Sequence, residues 1–423
     1  MEVDIREFEE VVNSASFMIQ SDWYIAVRDD DAKAWITFKQ RGQLGIHTHI
    51  LSEGSSANET PFNISVDEEG FQLRNVTSKG LEISHSEAKN LTYKIIFPET
   101  VFQNIHDKNI SSLDVSSGGL GVSAGDDGSS LFVWETARGV VRRNLEGHFG
   151  DIYNCKLFPS GVVVLSSGSD MKIKIWSAED GSCPVTMIGH SAPITSTAII
   201  DDGMNIVSAS KDGTVRIWSC GKSKCLEPVI HIEDVINCCD ILQTDELPTL
   251  NHQHQSNLDG DSIDRSDEVG LEGKVLAIGG ENGTIALVSL FTRSILIIEK
   301  LPGKNVAVNA LSFLTESMLI VGCENGRLVC FSVPDLKIIW VLHDSDSSIQ
   351  SLLSLEKQRG FIAGKLDGTC VFYSIDGNKK LNPLRVLLSG ADVDPINAIK
   401  SDGSYIYTGA RDGQIRKYNV KDI

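Results

Sequence analysis

The residues best placed to do chemistry are two histidine–aspartate pairs, His148 with Asp170 and His190 with Asp212, with Ser167 and Ser210 close by in sequence. An imidazole beside a carboxylate could serve as the base of a hydrolytic triad. The spacing argues otherwise. The two pairs stand 42 residues apart, and a catalytic pair has no reason to repeat with a structural period. Other enzyme signals also fail. No HExxH or GxSxG occurs. GLGVSA (119–124) fits a loose dinucleotide pattern, but a strand follows where a phosphate-binding helix is needed. GKS (221–223) lacks the first glycine of a phosphate loop, because position 216 is Arg. Cys220 with Cys225, or Cys238 with Cys239, has no second matched pair for zinc, and His252 and His254 fit no metal-ligand spacing. No metal, cofactor or catalytic residue is expected, and the chain is read as a non-enzyme.

The elements that hold these residues follow one period. Trp134, Trp176 and Trp218 are 42 apart, and so are His106, His148 and His190. Residues 161–176 (GVVVLSSGSDMKIKIW) and 203–218 (GMNIVSASKDGTVRIW) share one layout of apolar run, acidic turn and alternating run. Gly128, Gly213, Gly283, Gly326, Gly368 and Gly413 each follow Asp or Asn, a hairpin signal. Five residues past the last five of these stand Trp218, Val288, Phe331, Tyr373 and Tyr418. Seven units result, beginning near 106, 148, 190, 234, 305, 348 and 394, each with three or four short strands. One such sheet cannot bury both faces alone, but a radial stack can. The fold class is all-β: a seven-bladed propeller over 93–423, with a small β-rich module at 17–92 and an acidic leader, helical or disordered, at 1–16. The last unit is one strand short. YKIIFPE (93–99) is expected to supply it and close the ring. Residues 245–274, acidic and poor in apolar residues, interrupt the fourth unit as a disordered surface loop.

Lys+Arg total 38 against Asp+Glu 57 in 423 residues, a net charge of −19. That excludes a general nucleic-acid binder, which needs clustered cations. No apolar stretch reaches membrane-span length, and the acidic start lacks signal-peptide order. Nine scattered cysteines, an odd number, are no disulfide framework. A reducing compartment is expected, the cytoplasm with the nucleus as a second location.

The Gly-His pair, acidic turn and Trp at a 42-residue step resemble the WD40 repeat family. In that family the His, a strand Ser or Thr, the turn Asp and the Trp of one blade form a hydrogen-bonded set. The resemblance implies His148, Ser167, Asp170 and Trp176, then His190, Ser210, Asp212 and Trp218. The first blade offers His106, Asp127 and Trp134, with Ser123. Blades four to six lack the set and should rely on apolar packing. IQSDW (19–23), 158–183, VSASKDGTVRIWSCGKSKCL (207–226) and YTGARDGQIRKY (407–418) further resemble the WD-repeat assembly chaperones of the proteasome regulatory particle. That resemblance implies a partner, the C-terminal domain of a proteasomal ATPase subunit, held by a chain that is monomeric when free.

The turn after each second strand and the link into each first strand should emerge on one end of a propeller. That end collects Asp126, Asp151, Glu233, Asp234, Glu281, Glu324, Asp344, Asp346, Asp392 and Asp394. Ten acids would steer a basic surface. Asp126, Asp151, Asp234, Glu281, Glu324, Asp346 and Asp394 are the candidate partner-binding residues. The alternative function is a substrate receptor or scaffold of a ubiquitin ligase, for which no docking motif is visible.

Overall fold

The computed structural model describes residues 15–28, 32–53, 63–67, 70–88, 91–126, 130–243, 265–302, 306–333 and 335–423. Seven sheets, each with an antiparallel meander at its heart, follow one another along the chain, starting from the first strands Ile110–Val115, Ile152–Leu157, Ile194–Ile200, Ile236–Gln243, Val308–Thr315, Ile349–Leu355 and Ile396–Ser401. The expected equivalence of third strands is visible in the register. Trp134, Trp176, Trp218, Val288, Phe331, Tyr373 and Tyr418 sit opposite Gly121, Val164, Ile206, Leu276, Leu319, Phe361 and Ile406. Each is nearly or fully buried between neighbouring sheets.

The first strands touch in a circle, each against the next and the seventh against the first. Side chains on these strands reach the backbone of the following blade. Ser111 Oγ donates to the Ile152 carbonyl (2.5 Å), Thr195 Oγ1 to that of Ile236 (2.8 Å) and Ser351 Oγ to that of Ile396 (2.8 Å). Asn309 Nδ2 donates to the Ile349 carbonyl (3.3 Å). Asn397 Nδ2 then donates to the Ile110 carbonyl at 3.0 Å, so the same bond closes the ring between blades seven and one.

The closing strand differs from expectation. Thr92–Ile96 pairs in parallel with Leu381–Leu388, the outer strand of blade six. Thr100–Phe102 completes blade seven instead, with Phe102 opposite Ile415. Pro98 lies between them. Proline offers no donor to a ladder, so the chain leaves one sheet there and re-enters the next.

The amino-terminal module is therefore grafted onto the propeller. Phe71–Thr77, Gly80–His85 and Thr92–Ile96 extend blade six into a seven-stranded sheet. A second sheet, Ala15–Ile19, Lys33–Gln40, Ile46–Ser52 and Ile64–Val66, lies beside it. Phe17, Trp23, Ile36, Phe38 and Tyr93 form one apolar core between the two, continuous with Trp340, Phe361 and Tyr373 of the propeller. Ala15 and Ser16, assigned to the leader, already belong to a strand. The rest of the leader, 1–14, lies outside the described residues.

Ile236–Gln243 and Lys274–Gly280 flank the insertion as expected. Its last ten residues are built into the fold. Asn205 bonds the Asp267 carbonyl (3.0 Å) and the Val269 amide (2.6 Å), Arg293 pairs with Glu268 (2.8 Å), and Leu271 is buried. The other part, 245–264, with His252 and His254, lies outside the described residues.

Phe102 fixes the closing strand against Trp134, ring centroids 5.6 Å apart. Phe102→Ala should lower unfolding free energy by about 3–5 kcal/mol, the usual cost of emptying a buried aromatic site. Urea denaturation measures it; a loss under 1 kcal/mol would remove this strand from the closure.

Candidate functional site

The repeated His–Asp pairs come first, because they are the residues whose types best suit chemistry. In blade two Trp176 Nε1 donates to Ser166 Oγ (2.8 Å), Ser166 Oγ meets His148 Nε2 (2.7 Å), and His148 Nδ1 meets Asp170 Oδ2 (2.9 Å). Blade three repeats this with Trp218, Ser208, His190 and Asp212 at 2.8, 2.7 and 2.8 Å. A carboxylate only accepts, so each His carries its proton on Nδ1 and its Nε2 accepts from the serine hydroxyl. Every donor is then satisfied with the imidazole neutral. In blade one the same bonds run from Trp134 to Ser123 (3.1 Å) and from Ser123 to His106 (2.7 Å). Asp127 lies outside the described residues.

The order Asp–His–Ser is that of a hydrolytic triad, but the burial is not. Ser166 and Ser208 have no exposed surface, and each hydroxyl is already occupied by an indole N–H. No substrate can reach it, so these sets brace the blade. Two serines expected here are corrected. Ser167 Oγ is buried and makes no hydrogen bond. Ser210 Oγ donates to the Ala192 and Pro193 carbonyls instead. Ser167 follows Ser166 and so faces the opposite side of its strand, while Ser210, two residues past Ser208 at the end of its strand, is taken up by the carbonyls of the neighbouring link.

The four paired cysteines are likewise structural. Burial raises the thiol of Cys220 to about 11 and pushes Cys225, Cys238 and Cys239 up as well. No His/Cys/Asp/Glu group suited to a metal occurs among the described residues. A cavity of about 400 Å³ on the ring axis is lined by the first strands, and its serines and asparagines include those that bond one blade to the next.

The loops expected on one end of the ring do meet there. The amides of Asp126, Ser169, Lys211, Glu281, Glu324, Leu366 and Arg411 donate to the carbonyls of Asn109, Asp151, Pro193, Val235, Ala307, Ser348 and Pro395. One backbone bond thus ties the turn after the second strand to the link before the first strand, in all seven blades. That single position carries three acids, two bases, a serine and a leucine.

The seven acids chosen from sequence do not share one environment. Asp126, Glu281 and Glu324 are exposed and Asp151 is half-buried. None of these four makes an ion pair among the described residues. Asp234 is buried; it accepts from the Val235 amide (2.8 Å) and from Asn282 N (3.1 Å) and Nδ2 (2.8 Å), which makes it a loop brace. Burial raises its carboxyl, but the Thr284 hydroxyl together with these bonds outweighs burial and leaves it below the ordinary value. Asp394 pairs with Arg411 (3.0 Å). Asp346 pairs with Arg41 of the amino-terminal module (3.1 Å), and Asp392 accepts from Ser21 N and Oγ (2.6 and 2.8 Å).

Asp344 leaves the face entirely. It is buried against Lys365 (2.7 Å) and accepts from Tyr373 OH (2.6 Å). Burial would raise its carboxyl, yet the Lys365 ammonium holds it below the usual range. Blade six therefore meets the missing Trp set with an ion pair, where apolar packing alone was expected. Blades four and five, with Val288 and Phe331 at this position, do pack through apolar contacts.

A closed ring of seven four-stranded blades with a Trp–Ser–His–Asp brace defines a WD40-repeat propeller. The family model for the WD domain, G-beta repeat, matches residues 139–177, 181–219 and 382–419. The solved RRP9 WD40 repeats superpose with a TM-score of 0.61 at 16% identity, covering 74% of this chain and 90% of that one. Over 412 residues the chain is 38% identical to proteasomal ATPase-associated factor 1 of Homo sapiens and to that of Gallus gallus, 97% of this chain and 100% of each relative. The probable proteasomal ATPase-associated factor 1 of Dictyostelium discoideum is 35% identical over 418 residues, 95% of both chains. The chain belongs to the proteasomal ATPase-associated factor 1 family.

The brace yields a paired prediction. Ser166→Ala removes the hydroxyl shared by Trp176 and His148 and should cost about 1–3 kcal/mol. Ser167→Ala removes an unsatisfied buried hydroxyl and should be neutral or stabilising. Urea midpoints compare the two; equal losses would contradict the geometry. The brace also sets a pH response. Burial lowers His190 below its ordinary 6.5 against the pull of Asp212. Burial would raise Asp212, but Thr214, the Ser191 amide and His190 hold it at about 2. Both folded values lie below their unfolded ones, so the stability they contribute is complete above pH 6.5 and falls with acid. It is lost first as His190 protonates, then as the pH drops from 3.8 toward 2. Asp212→Asn should flatten the lower part of that curve.

Proposed function

We propose that this chain is a non-catalytic protein-binding factor that assists assembly of the proteasome regulatory particle base. It holds the C-terminal domain of a proteasomal ATPase subunit on the acidic end of its propeller. The observation that carries this reading is the end-to-end 38% identity with relatives named for association with a proteasomal ATPase. The rim adds a physical means. Asp126, Asp151, Glu281 and Glu324 stand free of ion pairs among the described residues, on loops that a rigid ring presents together. Charges so placed raise the encounter rate with a basic surface more than they lengthen its residence. Asp346 and Asp394, already paired, are secondary contacts, and Asp234 supports a loop. The chain works as a monomer before binding, in the cytoplasm with the nucleus as a second compartment, and needs no metal or cofactor.

The test is binding to an isolated C-terminal domain of each proteasomal ATPase subunit. One of them should bind the wild-type chain. Glu281→Lys with Glu324→Lys should slow association about tenfold at low salt and flatten its salt dependence. An unchanged rate would remove the acidic rim from the interface. Recovery of cullin components in place of ATPase subunits from extract would favour a ubiquitin-ligase receptor.

A further inference from the structure

The same end of the ring carries a feature that charge does not explain. Phe149 follows the brace histidine in the link entering blade two, and 79% of it is exposed. It is the one aromatic among the exposed large apolar residues of the described chain. Met171 lies in the adjoining turn, 38% exposed, with a φ of +60°. The two segments are joined by Asp170, whose Oδ2 accepts from the Phe149 amide (3.3 Å) and whose Oδ1 accepts from the Lys172 amide (3.2 Å). Lys172 Nζ lies 5.8 Å from the Phe149 ring.

Met171 is out of keeping with its position. In blades three to seven the same turn residue is Gly213, Gly283, Gly326, Gly368 and Gly413, with φ between +74° and +83°. A Cβ at those glycines would come within 2.2–3.0 Å of backbone carbonyls in the next link. Left-handed backbone penalises any residue with a Cβ. In blade two the fold accepts that penalty for a long apolar side chain that leaves 38% of itself exposed beside Phe149. An observed backbone outlier of this kind points toward function. A flexible, polarisable thioether beside a rigid exposed ring is a common composition for a protein-binding surface.

We propose that Phe149 and Met171 are the apolar anchor of this end of the propeller. They insert into an apolar pocket bordered by Lys or Arg side chains on the partner. This inference rests on the reading under Proposed function and places the occupant on the same ATPase C-terminal domain. The charge pattern supports that occupant: Asp126 in the turn of blade one and Asp151 in the link entering blade two lie on the same end as the anchor, so basic residues around the pocket would meet carboxylates as the ring is buried. The acids steer, and the apolar pair determines how long the complex lasts.

The experiment measures association and dissociation rates of the full chain with the ATPase C-terminal domain that wild type binds. Phe149→Ala should speed dissociation about tenfold or more and leave both the association rate and its salt dependence unchanged. Met204→Ala, also an exposed apolar residue but in the turn between the first two strands of blade three, is the control and should change neither rate. Met171→Gly should raise the melting temperature by about 1 °C or more while weakening binding, two opposite signs that a structural role would not produce. Wild-type dissociation from Phe149→Ala, with binding intact, overturns the anchor and leaves the proposed function standing. If no ATPase domain binds wild type, the proposed function fails and this occupant with it. Concentration-dependent dimers that Phe149→Ala abolishes would assign the anchor to a second copy of the chain and overturn it too.

Discussion

Everything in this molecule depends on how one blade is fastened to the next. A four-stranded sheet has two faces and can cover neither by itself. The first strands solve this near the axis with a bond that crosses from a short polar side chain to the next blade's carbonyl: Ser111 to Ile152, Thr195 to Ile236, Asn309 to Ile349, Ser351 to Ile396. The residues used are Ser, Thr and Asn, short donors that reach the neighbouring carbonyl directly. Asn397 makes the bond to Ile110 across the point where the circle closes. Chain connectivity carries six of the joints, and the seventh depends on this bond and on Thr100–Phe102.

With the axis fixed in this way, the outer part of each blade is free to vary. The place between sheets must be filled by something large, and any polar atom on it must be satisfied. Blades two and three use Trp with Ser, His and Asp. Blade six uses Tyr373 with Asp344 and Lys365, and blade seven uses Tyr418, whose hydroxyl donates to the Ser389 carbonyl (2.7 Å). Blades four and five avoid polar atoms with Val288 and Phe331. The buried ion pair of blade six sits beside Tyr93 and Arg385, where the amino-terminal strands join the sheet. Removing one partner of such a pair is far more costly than its presence is beneficial, so this graft depends on both charges.

The ring was legible in sequence because hydrophobic period, turn glycines and aromatic positions all repeat. These follow from strand alternation and hairpin geometry, which act over a few residues. Ser166 and Ser208 were equally readable: each lies ten residues before its Trp, and aligning GVVVLSSGSDMKIKIW with GMNIVSASKDGTVRIW sets them opposite one another. Ser167 and Ser210 fall on other columns of that alignment. The parallel pairing of Thr92–Ile96 was not readable, because strand character does not say which edge a strand joins. Only Pro98 hinted that one run was two strands. Exposure of the rim acids was also hidden. Asp344 and Asp346 are two residues apart, yet one is buried on Lys365 and the other faces Arg41. Which of them faced solvent depended on a module distant in sequence.

That module makes the two halves of the acidic end unequal. Arg41 and Ser21 engage Asp346 and Asp392 in the links entering blades six and seven, and Trp23 Nε1 bonds Ser389 Oγ at 3.1 Å. Blade seven adds Arg411, which neutralises Asp394. Charge on this side is thus spent within the chain. Among the described residues, the candidate acids with neither an ion pair nor a bond to the module, Asp126, Asp151, Glu281 and Glu324, belong to blades one, two, four and five, and the exposed Phe149 and Met171 belong to blade two. A basic partner approaching the end of the ring would meet a field that grows away from the graft. The amino-terminal strands therefore mark one side of this end of the ring, opposite the unpaired acids. A ring of seven similar blades has no preferred direction of its own, and the graft on blade six supplies one.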